Sequence, residues 1–375
     1  MLVVLLVAAA FAISPGLLHA RAAGLMLRFS SSDTPTGLAN FGNHEVDEEA
    51  ITLELGDGET TRARVYTPRG VSDPPGLVIA HGVHHLGVDE PRLQRFARAI
   101  ASAGIVVYTP ELEELADYHI DLRSTKSIGM GARALKKRVH RSSVGVMGLS
   151  FAGGLAMLTA TDPEYASSIS FVVAVGAHDD LPRIARFFAT NEIPEADGTT
   201  LKMHAHDYGA VVLVYSQPTE FFSDQDVSRA KDALKKWLWE DEAGARQIAK
   251  EMSPAGRAKM DLIFDRREDV LAPELLAFIR KVEPAMKRVS PHDNLEGLRA
   301  HVYLLHGAGD SVIPASETRW LAHDAPEGTV KSALVSNAIQ HVELEGKPKL
   351  SEQWELVHFM AMLLDEAARE APSGN

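Results

Sequence analysis

A serine near the middle of the chain has the neighbours that a nucleophile on a tight turn requires. Residues 148–154 read Gly-Leu-Ser-Phe-Ala-Gly-Gly; they follow the apolar run 144–147 and lead into a segment rich in Ala and Leu. A serine on a sharp turn between a strand and a helix needs very small side chains two residues to either side, as Gly148 and Ala152 provide. The helix N-terminus would add a positive dipole end where an oxyanion forms. The pattern predicts that Ser150 is a catalytic nucleophile, although the same small residues could simply pack a helix against a sheet.

This strand, turn and helix resemble the nucleophile elbow of the α/β-hydrolase family, and the chain is similar to the serine esterase and dienelactone-hydrolase-like branch of that family. Ala152 stands where the family usually has glycine, a departure of one methyl group. The resemblance implies two N–H donors to an oxyanion: Phe151, directly after the nucleophile, and Val83, after the pair His81-Gly82. His81 could also be a histidine at a strand end with no part in catalysis.

The same resemblance implies the acid and the base of a catalytic triad. Asp310 lies in the loop after the apolar run 302–305, where the family has a late strand followed by its acid. His341 is the one histidine between the predicted strand 329–335 and the C-terminal helix. The chain order Ser150, Asp310, His341 is the order of the family.

Alternatives for the acid remain open. Asp310 could be only a turn residue or the cap of the helix that follows. Asp179 and Asp180 follow the apolar run at 169–175, and some members of the family carry their acid at that place. In either arrangement the carboxylate would orient His341 and stabilise its charged form.

Short apolar runs alternate with helical patterns along much of the chain. A continuous apolar run of strand length is typical of a strand that is buried on both faces of a parallel sheet. The runs are residues 77–80, 104–108, 144–147, 169–175, 302–305 and, more weakly, 329–335. We therefore predict an α/β fold in which a mostly parallel central sheet has helices on both faces.

One connection is too long for a simple crossover, because more than a hundred residues separate the runs that end at 175 and begin at 302. We predict a core of residues 46–181 and 293–375, interrupted by a helical cap at residues 182–292. We expect most aromatic side chains of the cap to pack among the cap helices and some to line an apolar acyl or alcohol pocket. These aromatic residues are Phe187, Phe188, Phe221, Phe222, Trp237, Trp239 and Phe278.

The N-terminus predicts export. An apolar run at residues 2–13 precedes a small-x-small triplet, so residues 1–22 are interpreted as a signal peptide that is cleaved after Ala22. No basic residue precedes the run, whereas Arg21 and Arg28 follow it, so an uncleaved membrane anchor is the alternative. Residues 23–45 are predicted to be a linker. We expect a periplasmic, secreted or membrane-anchored protein, with this segment as the possible contact to a membrane.

Composition excludes several classes of partner. The chain has 51 acidic and 38 basic residues and a net charge of −13, so phosphate backbones repel it and we expect no nucleic-acid partner. It has no cysteine, which excludes disulfides, a thiol nucleophile and Cys-ligated metals. Several histidines could be imagined as a metal site, but they are scattered and lack a carboxylate pattern, so we expect no metal and no cofactor. They are His81, His84, His85, His204 and His206.

The function that the resemblance implies is hydrolysis of small-molecule carboxylic esters. Ser150 would attack the carbonyl, an acyl-enzyme would form, and water would release the acid. A triad does not by itself distinguish an ester from an amide, so an amidase or peptidase is one alternative. A non-catalytic homologue that binds a ligand in the former active site is another.

Overall fold

The fold is built on an eight-stranded sheet, seen in a computed structural model that describes residues 2–30, 36–340, 343, 344 and 349–369. The strands in the described chain are β1 (Val46–Gly56), β2 (Glu59–Pro68), β3 (Gly76–Ala80), β4 (Val106–Pro110), β5 (Val144–Leu149), β6 (Ile169–Val175), β7 (Glu192–Pro194), β8 (Thr200–Lys202), β9 (His301–Gly307), β10 (Val330–Ser336), β11 (Ile339–Gln340) and β12 (Glu343–Leu344). The large sheet has the order β1-β2-β4-β3-β5-β6-β9-β10.

Parallel pairing dominates this sheet. Only β1 with β2, and β2 with β4, run antiparallel, and the pairs from β4 through β10 are all parallel. The carboxyl ends of β3, β5, β6 and β9 therefore meet at one edge, which is where such sheets place their ligand sites. The predicted mostly parallel sheet is confirmed.

Helices cover both faces of the sheet. In the described residues they are α1 (Leu2–Ser30), α2 (Pro91–Ser102), α3 (Glu113–Ala116), α4 (Arg123–Arg138), α5 (Phe151–Thr161), α6 (Leu181–Thr190), α7 (Tyr208–Ser216), α8 (Asp224–Leu238), α9 (Glu242–Ala249), α10 (Pro254–Phe264), α11 (Glu268–Arg288), α12 (Ser316–Asp324) and α13 (Leu350–Arg369). The stretch between β6 and β9, which is described throughout, contains α6 to α11 and the antiparallel hairpin of β7 and β8.

Two hydrophobic cores lie on opposite faces of the sheet because successive side chains of a strand alternate between the faces. Val78 and Val146 belong to the core that continues into α4, α5 and the helices between β6 and β9. Ile79 and Met147 belong to the second core, which α1, α2 and α13 cover. The strands are apolar throughout because both of their faces are buried.

The N-terminal helix extends further than the sequence pattern predicts. α1 continues to Ser30, so the first part of the linker predicted at residues 23–45 is helical. Leu25 is fully buried in the second core, and the guanidinium of Arg28 donates to the Ser102 hydroxyl at 2.7 Å. These contacts explain the helix, since burial and a tertiary hydrogen bond outweigh the local polar composition. Among the helices of the described residues, none combines the length and the apolar character needed to cross a membrane.

Candidate active site

Ser150 lies on a strained turn between β5 and α5. Its backbone has φ of +56° and ψ of −132°, a region that residues other than glycine seldom adopt. Its N–H donates to the Val175 carbonyl of the neighbouring strand at 2.7 Å, which fixes the turn to the sheet. Ser150 is also the N-cap residue of α5, so the positive end of the helix dipole lies beside it.

Small residues make this turn sterically possible. A Cβ atom on Gly148 would lie 2.3 Å from the Ala152 carbonyl oxygen, and one on Gly153 would lie 2.5 Å from the Ala177 Cβ. Both distances are far below van der Waals contact, so any side chain at these positions would force the helix away from the sheet. Gly148 and Ala152 therefore have the supporting positions that the sequence pattern indicates. The methyl group of Ala152 is accommodated in the core, where the residue is fully buried.

The loop after β3 approaches the serine closely. A Cβ atom on Gly82 would lie 3.2 Å from the Ser150 Cβ, so a side chain there would require the loop or the nucleophile to shift by a few tenths of an ångström. Within the described residues, no acceptor contacts the backbone N–H of Val83 or of Phe151. These are the two donors that the resemblance noted in the sequence implies for an oxyanion. Both are therefore available to a ligand.

His81 holds this loop in place. Its Nε2 accepts the Leu112 N–H at 2.9 Å, and its Nδ1 lies 2.8 Å from the Gly82 carbonyl oxygen. Because Nε2 is an acceptor, the proton of the neutral ring is on Nδ1, which donates to Gly82. Burial lowers the pKa of His81 to about 4, so the ring is neutral near pH 7. His81 is therefore a positioning residue for the loop that carries the Val83 N–H.

Asp310 is fully buried in the loop after β9. Its Oδ1 accepts the N–H groups of Val312 and Ile313 at 2.8 and 3.0 Å, and its Oδ2 lies 3.5 Å from Nε2 of His306. Asp310 is thus a turn residue, as one alternative in the sequence analysis held, because its carboxylate binds two N–H groups of its own loop. The next residue, Ser311, accepts the His206 N–H at 2.8 Å, which attaches the segment before α7 to the same loop.

His306 braces the acid loop, a role that sequence reasoning missed. Its Nε2 donates to the Ile313 carbonyl at 2.7 Å, and its Nδ1 is 2.6 Å from the Thr318 hydroxyl at the start of α12. The side chain is fully buried. It thereby connects β9, the loop of Asp310 and α12, and its only sequence signal is the pair His306-Gly307 at the end of an apolar run.

His341, the predicted base, lies outside the described residues, and its assignment remains a prediction. The nearest preceding described residue whose side chain is placed is Ile339 in β11. Ile339 lines the same cavity as Ser150 and Val312. Ile339, which precedes His341 by two residues in the sequence, is therefore part of the cavity wall.

The alternative acids belong to a separate cluster of buried charges. Asp179 accepts from Arg183 Nη2 at 2.8 Å, and the carboxylate of Glu317 accepts the N–H groups of Asp179 and Asp180 at 2.7 and 2.9 Å. Burial, with the charge of Glu317, raises the pKa of Asp179 to about 7. Neither aspartate lines the cavity of Ser150, whereas the loop of Asp310 does through Ser311 and Val312. This placement favours Asp310 as the acid.

The histidines considered as a metal site do not form one in the described part of the chain. His84 stacks on His85 with 4.7 Å between ring centroids, and the ring of His81 is occupied by backbone groups. Among the described residues, the one group whose ligand atoms converge is Asp179, His292 and Asp324. Ion pairing explains it, because His292 Nδ1 is 2.5 Å from Asp324 and Asp179 is paired with Arg183.

A cavity of about 790 Å³ contains Ser150, a volume in the usual range of ligand sites. On the side of the inserted helices, polar side chains line it: His84, Tyr118, His206, Tyr208 and Glu240.

The Tyr118 hydroxyl donates to the Leu238 carbonyl at 2.6 Å, but the Tyr208 hydroxyl has no partner in the described residues. Burial and the charge of Asp310 raise the pKa of Tyr208, so this hydroxyl remains a donor. Sequence reasoning missed Tyr208, whose only signal is its place at the start of α7.

The prediction that cap aromatics line the pocket is wrong, since none of the seven is among the described residues around this cavity. Six of them are buried, whereas Trp239 is 41% exposed and its ring lies 5.1 Å from that of His85. Trp237 stacks on Phe264 with 4.4 Å between centroids, and Phe221 meets Phe278 edge to face at 5.0 Å. Six helices need a core of their own, and large aromatic side chains supply most of its buried area.

The similarity of this chain to known proteins is structural and does not extend to sequence. No family model matches the chain, and no curated protein matches it by sequence. A structure from Legionella pneumophila described as a hydrolase is 14% identical, with a TM-score of 0.52 over 87% of this chain and 91% of that one. An acylaminoacyl peptidase from Pyrococcus horikoshii is 11% identical, with a TM-score of 0.52 over 92% of this chain and 44% of that one. Together with the strand order and the elbow at Ser150, these similarities show that the chain has the α/β-hydrolase fold.

Proposed function

We propose that the chain is a serine hydrolase of carboxylic esters, with Ser150 as nucleophile, His341 as base and Asp310 as acid. The observation that carries the proposal is the strained Ser150 at the N-terminus of α5, together with the N–H groups of Phe151 and Val83, which have no acceptor within the described residues. Backbone strain of this kind persists where the surrounding structure holds it, and it clusters at functional sites.

Each residue has a defined task in this mechanism. His341 removes the Ser150 proton as the hydroxyl attacks the ester carbonyl, and it returns that proton to the leaving alcohol. The negative charge on the carbonyl oxygen is stabilised by the N–H groups of Phe151 and Val83, with about 3 kcal/mol expected from each donor. Asp310 orients His341 and stabilises its charged form. Water then attacks the acyl-enzyme and releases the carboxylic acid.

The proposal extends to the parts of the chain around the site. The insertion at residues 182–292 acts as a cap, and His206, Tyr208 and Glu240 are its contributions to the cavity. The segment before residue 23 directs export, as a cleaved leader or as an anchor. The chemistry needs no metal or cofactor, since every step uses side chains and backbone N–H groups of the chain.

Labelling with a fluorophosphonate probe tests the nucleophile. Wild-type protein should be labelled, and Ser150→Ala should not be labelled and should lower kcat for a soluble ester by about 10⁴-fold or more. Ser127→Ala is the matched control, because Ser127 is similarly buried, at 6% against 4% exposed, and does not line the cavity.

The outcomes separate the alternatives. Faster turnover of an acyl amide than of the matching ester would favour an amidase or peptidase. Absence of labelling and of turnover in the folded wild-type protein would favour a non-catalytic ligand-binding homologue.

A further inference from the structure

The cavity of Ser150 continues past the nucleophile, beneath the sheet. On the far side of Ser150 it is lined by Met147 of β5 and Val173 of β6. Both side chains belong to the core between the sheet and α1, α2 and α13. Met147 precedes Ser150 by three residues, which corresponds to about 10 Å along the strand. The cavity thus has an arm on the face of the sheet opposite to α5.

The sheet side and the α13 side of this inner arm are apolar. The described lining on these sides comes from the sheet, from the hairpin strand β11 and from α13, and it contains no charged or hydrogen-bonding side chain: Met147, Val173, Val175, Leu305, Ile339, Phe359, Met360 and Leu363. A smaller void of about 20 Å³ lies further in and shares Met147, Val173, Met360 and Leu363 with it. Spaces of this kind are unfavourable for water and favourable for hydrocarbon.

The outer wall of the arm comes from α1 and α2. Met26 and Phe29 of α1 line the cavity together with Leu93 and Phe96 of α2. The exposed side chains of Ser30, Arg92 and Arg95, with Glu90, line the same cavity where this wall meets solvent. Phe29 meets Phe96 edge to face with 5.1 Å between ring centroids. Both α1 residues lie after Ala22, so cleavage there would leave them in the chain.

The two ends of the cavity differ in chemistry, and the ester must lie between them. The end beneath the inserted helices presents Tyr208, His206 and Glu240, which suit a polar alcohol. The apolar lining of the inner arm suits a hydrocarbon chain. We propose that the inner arm binds the acyl chain of the substrate, and that the protein prefers medium- and long-chain acyl esters over short ones. This proposal rests on the proposed ester hydrolysis at Ser150.

Chain-length profiles test the proposal directly. With the alcohol held constant, kcat/KM should rise from the butyryl to the decanoyl ester by up to about fourfold for each methylene that enters the arm, the factor for about 0.8 kcal/mol per buried CH₂. Lengthening the alcohol with a butyryl group held constant should have a smaller effect. If the profile is flat or falls from butyryl to decanoyl, the arm does not bind the acyl chain.

Matched substitutions on α13 locate the effect. Met360→Trp fills the arm and should lower the decanoyl-to-butyryl ratio of kcat/KM about tenfold or more. Met362→Trp is the control, because Met362 is on the same helix, is partly buried and lines neither cavity, so it should leave the ratio unchanged. Leu363→Phe is the smaller replacement if Met360→Trp does not fold. An unchanged ratio in both Met360→Trp and Leu363→Phe would overturn the proposal.

A binding measurement separates this inference from the proposed function. Ser150→Ala protein should bind decanoate in calorimetry more tightly than butyrate, and adding Met360→Trp to it should abolish that preference. Binding without any ester turnover in the wild type would refute the proposed function and leave the acyl site standing. Ester turnover without selective binding, together with a flat chain-length profile, would refute the acyl site and leave the proposed ester hydrolysis standing.

Discussion

The positioning role of His81 gives a prediction whose size follows from its hydrogen bonds. In His81→Leu the Leu112 N–H loses its acceptor and the Gly82 carbonyl loses its donor. One buried N–H left unpaired costs about 1–3 kcal/mol and one lost hydrogen bond about 1 kcal/mol, so the free energy of unfolding should fall by about 2–4 kcal/mol. The loop that carries Val83 should shift, which should lower kcat by about 10²-fold, the effect of losing one oxyanion donor.

Unfolding in urea and turnover of a soluble ester measure the two effects separately. Tyr303→Phe is the control, because Tyr303 is similarly buried, at 5% against 3% exposed, and its hydroxyl donates to Glu366 at 2.9 Å, outside the cavity of Ser150. It should lose about 1 kcal/mol of stability and keep kcat within about threefold. If His81→Leu loses stability but keeps kcat and KM, the Val83 N–H does not depend on His81 and the reasoning fails.

The remaining predictions concern the acid, the cavity hydroxyl and pH. Asp310→Asn should lower kcat by about 10⁴-fold, since the amide favours the wrong imidazole tautomer; if Asp179→Asn has that effect instead, the acid follows β6. Tyr208→Phe should lower kcat/KM by about tenfold, because one hydrogen bond to the substrate is lost. The free energy of unfolding should not change, because the hydroxyl has no protein partner in the described residues. A lower free energy of unfolding with an unchanged kcat/KM would show that Tyr208 is purely structural. The pKa values of His81 and His178 are each about 4 in the folded protein, below the ordinary 6.5, so each contributes stability above pH 6.5 that is lost as pH falls towards 4. His178→Leu should therefore reduce the slope of unfolding free energy between pH 4 and 6.5 by about 1.4 kcal/mol per pH unit, and an unchanged slope would show that the ring is charged when folded.

Local sequence determined the elbow and most of the sheet. The turn at Ser150 depends on atoms within a few residues, because Gly148 is small where the end of β5 and the start of α5 almost touch. The apolar runs became strands since only a doubly covered sheet buries both faces of such a segment. The position of Asp310 after β9 followed from the same pattern, because parallel strands bring their carboxyl ends to one edge.

Contacts between distant segments were decided only by the tertiary structure. His81 and Leu112 are 31 residues apart in sequence, and no local pattern shows that one accepts a hydrogen bond from the other. The same holds for Tyr208, which reaches the cavity because the chain before α7 is bonded to the loop of Ser311. Helical periodicity shows which side chains are buried, but not which neighbour they are buried against.

The largest differences between expectation and structure arise because the sequence does not show which neighbour a buried side chain packs against. An aromatic residue in the insertion had to be buried, and its sequence could not distinguish a core between helices from the wall of a pocket; Trp237 stacks on Phe264. In the same way, the polar composition after residue 22 indicated a linker, but packing of Leu25 against the second core extends α1 to Ser30. Sequence determines local backbone and burial, whereas the shape of the cavity depends on how separate helices pack around the sheet.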